Sequence, residues 1–327
     1  MRQRVFGFVL LMFTLTVPVS ADSPDTAGGW VKYPQNPVMG GRYGTCFDVA
    51  VLREHDVYRM WLSWRPKHSL ALVESKDGIH WSEPPVIVFG PRKETGWEDD
   101  INRPGILKRD GVYHMWYTGQ ANGYSSIGYA TSADGISWKR MSDKPVLSAD
   151  KTWEGATVMC SHVIWDTDAK SYRMWYSGGG KQNANEPDDI GYATSPDGLT
   201  WTKRDDNPIF THDPKSDWEK ARATACQVIP QSGGFLMFYI GFGDPNHAQI
   251  GMAWSKDGIT SWQRYAHNPI IRTSDNGWDM HACYKPFAIF DGEKWILWYN
   301  GRRMLLEQIG VAFHDGKDLG FSPPAAP

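Results

Sequence analysis

Three carboxylates in the first half of the chain, Asp48, Asp100 and Glu154, are candidates for general acid–base chemistry. Asp48 stands out because the chain is built from repeats, and no other repeat carries an acid at the aligned position. The residues aligned with it are Arg103, Cys160, Ala225 and Lys285. An acid that departs from the repeat has no shared structural purpose, so a functional role is favoured for Asp48. Carboxyl groups that converge on one site can divide proton donation and acceptance between them.

A second acidic position follows a tryptophan shortly before four of the inner strands. The acids are Glu98, Glu154, Glu219 and Asp279. Because the pattern repeats, it could serve only to cap a loop, and this structural interpretation is favoured for Glu98 and Glu219. For Glu154 and for Asp100 the sequence leaves structure and function equally open.

Basic and aromatic residues that are not repeated surround these acids. They are Arg103, His162, Arg222, His281, Lys285 and Arg302, with Trp64 and Tyr124 in neighbouring loops. Aromatic rings and guanidinium groups suit the ring faces and hydroxyl groups of sugars, which makes these residues candidates for substrate binding. His162 and His281 are equally compatible with a structural role, and their separation has no metal-binding spacing.

The segments that must position these side chains recur along the chain. IGYATSADGISW, IGYATSPDGLTW and IGMAWSKDGITSW begin at Ile127, Ile190 and Ile250, and LALVESKDGIHW begins at Leu70. Each follows an aromatic strand such as VYHMWYTG or SYRMWYSG. Apolar runs bounded by Gly and Asp are typical of strands, and the Asp-Gly pairs predict tight hairpin turns.

This periodicity predicts an all-β fold, a five-bladed β-propeller with four-stranded antiparallel blades. The last repeat lacks its outer strand, but the segment 30–38 near the N-terminus has the matching pattern. We therefore expect the N-terminal strand to complete the fifth blade and close the ring. The loops between blades, and those between second and third strands, then share the face that carries the candidate site residues.

Composition and the N-terminus narrow the function classes. The 327 residues carry 34 Lys+Arg against 37 Asp+Glu, a net charge of −3 without a basic run, so nucleic acid and membrane are not expected partners. Arg2 and Arg4 precede an apolar stretch, and small residues end at Ala21, which predicts a signal peptide over 1–21. Residues 22–327 would form one secreted or periplasmic domain.

The four cysteines admit two interpretations. Pairing of Cys46 with Cys283 and of Cys160 with Cys226 is one hypothesis, since these residues align in neighbouring repeats and an exported chain permits disulfides. The alternative is four buried thiols.

Together, the I-G-Y-A-T-S-x-D-G-x-x-W repeats, the M-W-Y-x-G strands and the N-P-V/I segments resemble the five-bladed propeller glycoside hydrolases. That superfamily includes arabinanases and β-xylosidases, invertase-like fructosidases and mannoside phosphorylases. The resemblance implies a glycosidase that uses carboxylates in a central funnel, with Asp48 as base or nucleophile and Glu154 as acid. Gly105 stands where the second blade's aspartate is expected, so Asp100 or its neighbour Asp99 would replace it and tune the acid.

The same resemblance implies a carbohydrate substrate, and the Arg and Lys residues hint at an anionic or sulfated sugar. No cofactor is expected to be required, and a structural metal ion in the channel is left open, as is the oligomeric state. A non-catalytic carbohydrate-binding propeller is the alternative function, and a sialidase-like enzyme is a weaker one.

Overall fold

The computed structural model describes residues 24–180 and 186–321. The predicted signal peptide, 1–21, lies outside these residues. Regular structure consists of strands and short 3-10 turns. The strands are β1 (Trp30–Lys32), β2 (Cys46–Glu54), β3 (Val57–Trp64), β4 (Ser69–Ser75), β5 (Val86–Phe89), β6 (Asp100–Arg109), β7 (Val112–Ala121), β8 (Tyr124–Ser132), β9 (Lys139–Arg140), β10 (Val158–Asp166), β11 (Ser171–Gly178), β12 (Asp189–Ser195), β13 (Thr202–Lys203), β14 (Arg222–Gln231), β15 (Gly234–Phe242), β16 (Ala248–Ser255), β17 (Gln263–Arg264), β18 (Ala282–Phe290), β19 (Lys294–Arg303) and β20 (Leu306–Asp315).

The 3-10 turns all lie in loops. They span Gly41–Tyr43, Arg65–Lys67, Lys93–Thr95 and Thr152–Glu154. Over the residues that the structure describes, no helix has the length and apolar character needed to cross a membrane.

Four-stranded antiparallel sheets are the building blocks of the fold, as the repeats predict. Strands β2–β5, β6–β9 and β10–β13 form three separate sheets, which we call units 1, 2 and 3. The fourth sheet has eight strands and contains two antiparallel groups, β14–β17 (unit 4) and β18–β20 with β1 (unit 5). One parallel bridge, from Ala248 to Ala282, joins these two groups.

The N-terminal strand adds to the last unit, as predicted. Strand β1 pairs antiparallel with β20, and Trp30 lies opposite His314. Lys32 of β1 contacts Asp279 of unit 5 at 2.8 Å, where the outer strands of other units also place a basic residue. The inner strands β2, β6, β10, β14 and β18 contact one another in that order, and β18 also contacts β2.

Each second strand is buried between sheets, which explains its continuous apolar sequence. In β3, for example, Met60, Trp61 and Leu62 are fully buried. The tryptophan of this strand also reaches the next unit, because its indole N–H donates to the carbonyl of an Asp-Gly turn. Trp61 donates to Gly135, Trp116 to Gly198, Trp175 to Gly258 and Trp298 to Gly78, over 2.8–3.0 Å. The last of these bonds links unit 5 to unit 1.

The Asp-Gly turns are not the tight hairpins that the sequence predicts. Strand β4 ends at Ser75 and its partner β5 begins at Val86, so a longer loop joins them. The aspartate side chain closes the turn instead: in unit 2, Asp134 accepts the N–H groups of Ile136 and Ser137. These N–H groups, Ser137 foremost, lower the pKa of Asp134 to about 2. The repeated aspartates therefore hold turns.

The four cysteines are free and buried, so the alternative of four buried thiols is confirmed and the disulfide hypothesis is wrong. Cys46 and Cys283 belong to different apolar clusters. Burial raises the pKa of the Cys46 thiol to about 12, which keeps it protonated at neutral pH.

We predict that Trp298→Phe lowers the free energy of unfolding by about 2 kcal/mol, because it leaves the Gly78 carbonyl without its buried donor and removes volume. Urea unfolding followed by fluorescence measures the change. Trp138→Phe is the matched control, since Trp138 is only half-buried and donates to Gly135 within its own unit. Equal losses in the two variants would contradict a special role for the link between the first and last units.

Candidate active site

A bulge interrupts every inner strand at the position that the sequence alignment singles out. In unit 1 the register between β2 and β3 shifts between Phe47 and Ala50, and Asp48 takes a left-handed φ of 50°. The aligned residues in the other units share this conformation: Arg103 (φ 55°), Cys160 (56°), Ala225 (43°) and Lys285 (51°). An extra residue in a strand redirects its side chain, and all five residues here line one small central cavity.

Left-handed backbone costs a non-glycine residue about 1–2 kcal/mol, and side chains of the neighbouring unit hold four of these five residues. The Asp48 N–H donates to Asn300 Oδ1 at 3.0 Å, and the Arg103 N–H donates to Ser63 Oγ at 2.9 Å. The N–H groups of Cys160 and Ala225 donate in the same way to Thr118 and Ser177. Contacts between units thus fix residues that line this small cavity.

Asp48 lines this small cavity of about 50 Å³, which we call the floor. It is only 4% exposed. Asn300 Nδ2 donates to its Oδ1 at 3.0 Å, and Arg103 Nε lies 3.5 Å from its Oδ2. Among the described residues, Oδ2 has no hydrogen-bond partner. A buried carboxylate oxygen in this state can accept a hydrogen bond from a ligand.

Arg103 is a permanent cation above this floor. Its Nη1 donates to Asn102 Oδ1 at 2.7 Å, and its Nη2 lies 3.7 Å from Glu186 Oε1. Burial alone would lower its pKa, but the charge of Asp48, with a smaller contribution from Glu186, leaves the pKa above its usual value.

Lys285 and Cys160 complete the floor. Lys285 Nζ lies 2.5 Å from Cys160 Sγ and 3.9 Å from Glu186 Oε2. Burial raises the pKa of the Cys160 thiol, although Lys285 and Arg103 oppose the shift. Cys160 is therefore a protonated thiol, unsuited to act as a nucleophile.

A larger cavity of about 530 Å³ opens above the floor, within the range of small-molecule binding sites. Its lining includes Arg65, Arg103, Arg222 and Arg302, together with Glu186 and Glu307. Carboxylates orient two of the arginines: Glu307 lies 2.9 Å from Arg65, and Asp188 lies 3.0 Å from Arg222. We call this the mouth cavity. It presents more cationic than anionic side chains.

Glu154 does not face either cavity, contrary to our expectation. Its carboxylate is fully buried and accepts hydrogen bonds from Tyr176, from Lys203 and from the N–H groups of Asp150 and Lys151. Glu98, Glu219 and Asp279 lie in equivalent places, each paired with the basic residue of an outer strand: Arg140, Arg264 and Lys32. The structural interpretation of Glu98 and Glu219 is confirmed, and Glu154 shares their arrangement.

Glycines explain why a tryptophan precedes each of these acids. In unit 2 the Trp97 ring fills the space that side chains at Gly119 and Gly128 would occupy. The same packing places Trp153, Trp218 and Trp278 against pairs of glycines in units 3, 4 and 5. Each Trp-acid pair is thus an anchor between an entering loop and its sheet.

The other predicted site residues divide into two groups. Arg103, His162 and Lys285 line the floor, and Arg222 and Arg302 join Arg103 in the mouth cavity. Asp100, Trp64, Tyr124 and His281 line neither. Asp100 Oδ2 lies 3.5 Å from His68, Trp64 donates to the Tyr43 carbonyl, and His281 accepts the Met304 N–H.

No acid can take the place of Gly105, the position where the resemblance implies the second-blade aspartate. A Cβ at Gly105 would collide with the Ser161 carbonyl of the next unit. The close approach of two inner strands therefore requires glycine there, and this explains the departure from the superfamily pattern.

Two acids of the mouth cavity escaped the sequence analysis, Glu186 and Glu307. Glu307 is fully engaged, because its oxygens accept from Tyr284 and pair with Arg65. Glu186 lies in the connection from β11 to β12, which is much longer than the two-residue hairpin of unit 2. The extra length of this connection is the feature of the sequence that could have revealed Glu186. Across 24–180 and 186–321, no cluster of three or more His, Cys, Asp or Glu side chains could hold a metal ion.

We predict that Glu154→Gln lowers the free energy of unfolding by about 3 kcal/mol, because Lys203 loses its buried carboxylate partner and keeps only the exposed Asp150. Lys203→Met and the double variant complete a thermodynamic cycle, in which we expect strong coupling between the two residues. A stable Glu154→Gln protein that loses its activity would contradict this structural role.

We predict that His162 makes stability depend on pH. Burial lowers its pKa to about 4, although its hydrogen bond to the Val228 carbonyl partly opposes this. Between about pH 6.5 and 4 the unfolded chain binds a proton that the folded protein excludes, so stability falls as pH is lowered through this window. Unfolding midpoints of the protein and of His162→Gln, measured from pH 7 to 4, should converge at the acid end. Parallel pH profiles would contradict the assignment.

Comparison with known proteins places this geometry in a family. Residues 45–243 match the sequence model of glycoside hydrolase family 130, described as beta-1,4-mannooligosaccharide phosphorylase. An uncharacterized protein of Mycobacterium tuberculosis is 30% identical over 293 residues, covering 84% of this chain and 93% of that protein. A 1,2-beta-oligomannan phosphorylase of Thermoanaerobacter sp. is 30% identical over 135 residues, covering 39% of this chain and 44% of that protein.

Among solved structures, the beta-1,2-mannobiose phosphorylase of Listeria innocua, in complex with beta-1,2-mannobiose, has a TM-score of 0.68 at 13% identity. The alignment covers 88% of this chain and 96% of that one. The predicted resemblance to propeller glycoside hydrolases is confirmed, and the chain belongs to glycoside hydrolase family 130.

Proposed function

We propose that this protein cleaves glycosidic bonds of mannose-containing oligosaccharides in the mouth cavity, with phosphate as the acceptor. One observation carries the choice of phosphate: four arginines line a single cavity. A neutral oligosaccharide does not need so many guanidinium groups, whereas phosphate is bound well by arginine in paired hydrogen bonds. The family described as beta-1,4-mannooligosaccharide phosphorylase supports the same reaction class.

Glu186 is the proton donor in this proposal. Of the two carboxylates in the mouth cavity, Glu307 is occupied by Tyr284 and Arg65, whereas Glu186 Oε2 has no hydrogen-bond partner in the described part of the chain. Glu186 lies 3.7 Å from Arg103, so phosphate bound to that arginine would place the nucleophile and the proton donor at one site.

The reaction then needs one proton and one nucleophile. Glu186 protonates the glycosidic oxygen, the bond from that oxygen to the anomeric carbon breaks, and a phosphate oxygen bonds to the anomeric carbon. The products are a sugar 1-phosphate and the shortened oligosaccharide. Asp48 lies below the mouth cavity and is too confined to contact a sugar ring, so it positions Arg103 rather than touching the glycosidic bond.

Hydrolysis is the second candidate, and Glu186 itself favours it. Its carboxylate lies 3.7 Å from Arg103 and 3.9 Å from Lys285, and without phosphate it could instead accept a proton from a water molecule that attacks the anomeric carbon. A carbohydrate-binding protein without catalysis remains the third hypothesis.

The proposal also includes a closed five-bladed propeller. Five four-stranded units, the contact of β18 with β2, and the bond from Trp298 to Gly78 support this arrangement. Export of the chain to the periplasm or the medium, and any preference for a sulfated or otherwise anionic sugar, remain proposals from the sequence.

We predict that the protein, incubated with β-1,2- and β-1,4-linked manno-oligosaccharides, releases mannose 1-phosphate only when inorganic phosphate is present. Glu186→Gln should lower kcat/KM by about 10²–10⁴. Asp100→Asn is the matched control, because Asp100 lines neither cavity, and it should keep most of the activity.

Release of free mannose in the absence of phosphate would show that the reaction is hydrolysis and not phosphorolysis. Sugar binding without any cleavage would favour the carbohydrate-binding hypothesis, and full activity of Glu186→Gln would overturn the assignment of the acid.

A further inference from the structure

Three consecutive apolar side chains project into solvent at the tip of the hairpin between β19 and β20. Met304 is 74% exposed, Leu305 93% and Leu306 37%. Single exposed apolar residues are common on proteins, but three together at a hairpin tip are costly in water and call for an explanation.

Turn geometry does not explain these residues. Met304 has a left-handed φ of 55°, a conformation that costs a long side chain about 1–2 kcal/mol. The corresponding hairpin of unit 2 uses Asn122-Gly123, with φ values of 54° and 80°, and these are the residues that such turns prefer. Met and Leu at the tip in unit 5 therefore serve neither burial nor backbone geometry.

Contacts from its own unit and from two other units hold this tip in place. The Met304 N–H donates to His281 Nδ1 at 2.7 Å, and Thr45 Oγ1 of the segment before β2 donates to the Leu305 carbonyl at 3.4 Å. At the base of the hairpin, Arg302 Nη2 donates to the Asn246 carbonyl of unit 4 at 2.8 Å. The apolar tip is thus a fixed surface, and a ligand need not order it on binding.

The tip faces the mouth cavity. Met304 and Leu305 line this cavity together with Phe242 and Pro245, on the same side as Arg302. A ligand that fills the cavity therefore meets guanidinium groups and an apolar wall. Because the patch continues the cavity, the cavity's own ligand is the occupant that the geometry favours over a second copy of the chain or a lipid surface.

We propose that Met304 and Leu305 form a subsite for an apolar group attached to the sugar, a hydrocarbon chain or aryl aglycone. The proposal rests on the proposed function, and it specifies the substrate class as a glycoside with an apolar aglycone. Burial of a few methylene groups against the tip would supply the affinity.

Calorimetric titration with methyl β-mannoside and n-octyl β-mannoside, below the micelle concentration, tests this subsite because the two probes share one sugar. We expect the octyl compound to bind at least about tenfold more tightly to the protein. In Met304→Asn/Leu305→Gly the ratio should fall to about one. This variant restores the turn residues of unit 2, so its melting temperature should not fall. Ile87→Ser, an exposed apolar position on β5 outside the cavity, should keep the ratio.

Equal binding of both probes to the unaltered protein would overturn the subsite and leave the proposed function intact. Binding of neither probe would overturn both proposals. A ratio that persists in the double variant would place the apolar contact elsewhere. Sedimentation that shows a dimer of the unaltered protein and a monomer of the variant would identify the tip as an interface and also overturn the proposal.

Discussion

The bulge in each inner strand is the feature on which the site depends. It places one left-handed residue per unit at the floor cavity, and in units 1 to 4 a side chain of the neighbouring unit, such as Asn300 or Ser63, accepts its N–H. The left-handed backbone recurs in every unit, but the side chain differs. One scaffold position can therefore hold an acid in unit 1 and a guanidinium group in unit 2 without any change in the sheets.

Repeated residues stabilise the fold, whereas residues that differ between the units line the mouth cavity. The Trp-acid pairs, the Asp-Gly turns and the indole bonds between units recur, and each holds a loop or joins two sheets. The residues that face the mouth cavity differ in type from unit to unit. Arg302 and Phe242 hold equivalent strand positions, opposite Ala282 and Arg222, and Glu186 belongs to a connection that no other unit shares in length.

Sequence comparison between repeats predicted the fold class, the four-stranded units, the N-terminal strand in the last unit and the special position of Asp48. It failed for Glu154, because a sequence does not reveal whether a carboxylate beside a strand points to the channel or to Tyr176 and Lys203. Glu186 was missed since an unrepeated loop has no aligned counterpart. The apolar tip at Met304 becomes informative only when its backbone angle and exposure are known.

We propose that the arginines of the mouth cavity, held by a bulge and by neighbouring carboxylates, bind an anion beside the sugar. A crystal structure of the protein with phosphate and β-1,4-mannobiose is the decisive measurement. We expect phosphate in contact with Arg103 and at least one of the other cavity arginines, and sugar within hydrogen-bond distance of Glu186. Sugar bound outside this cavity, or phosphate bound without any contact to these arginines, would refute the proposal.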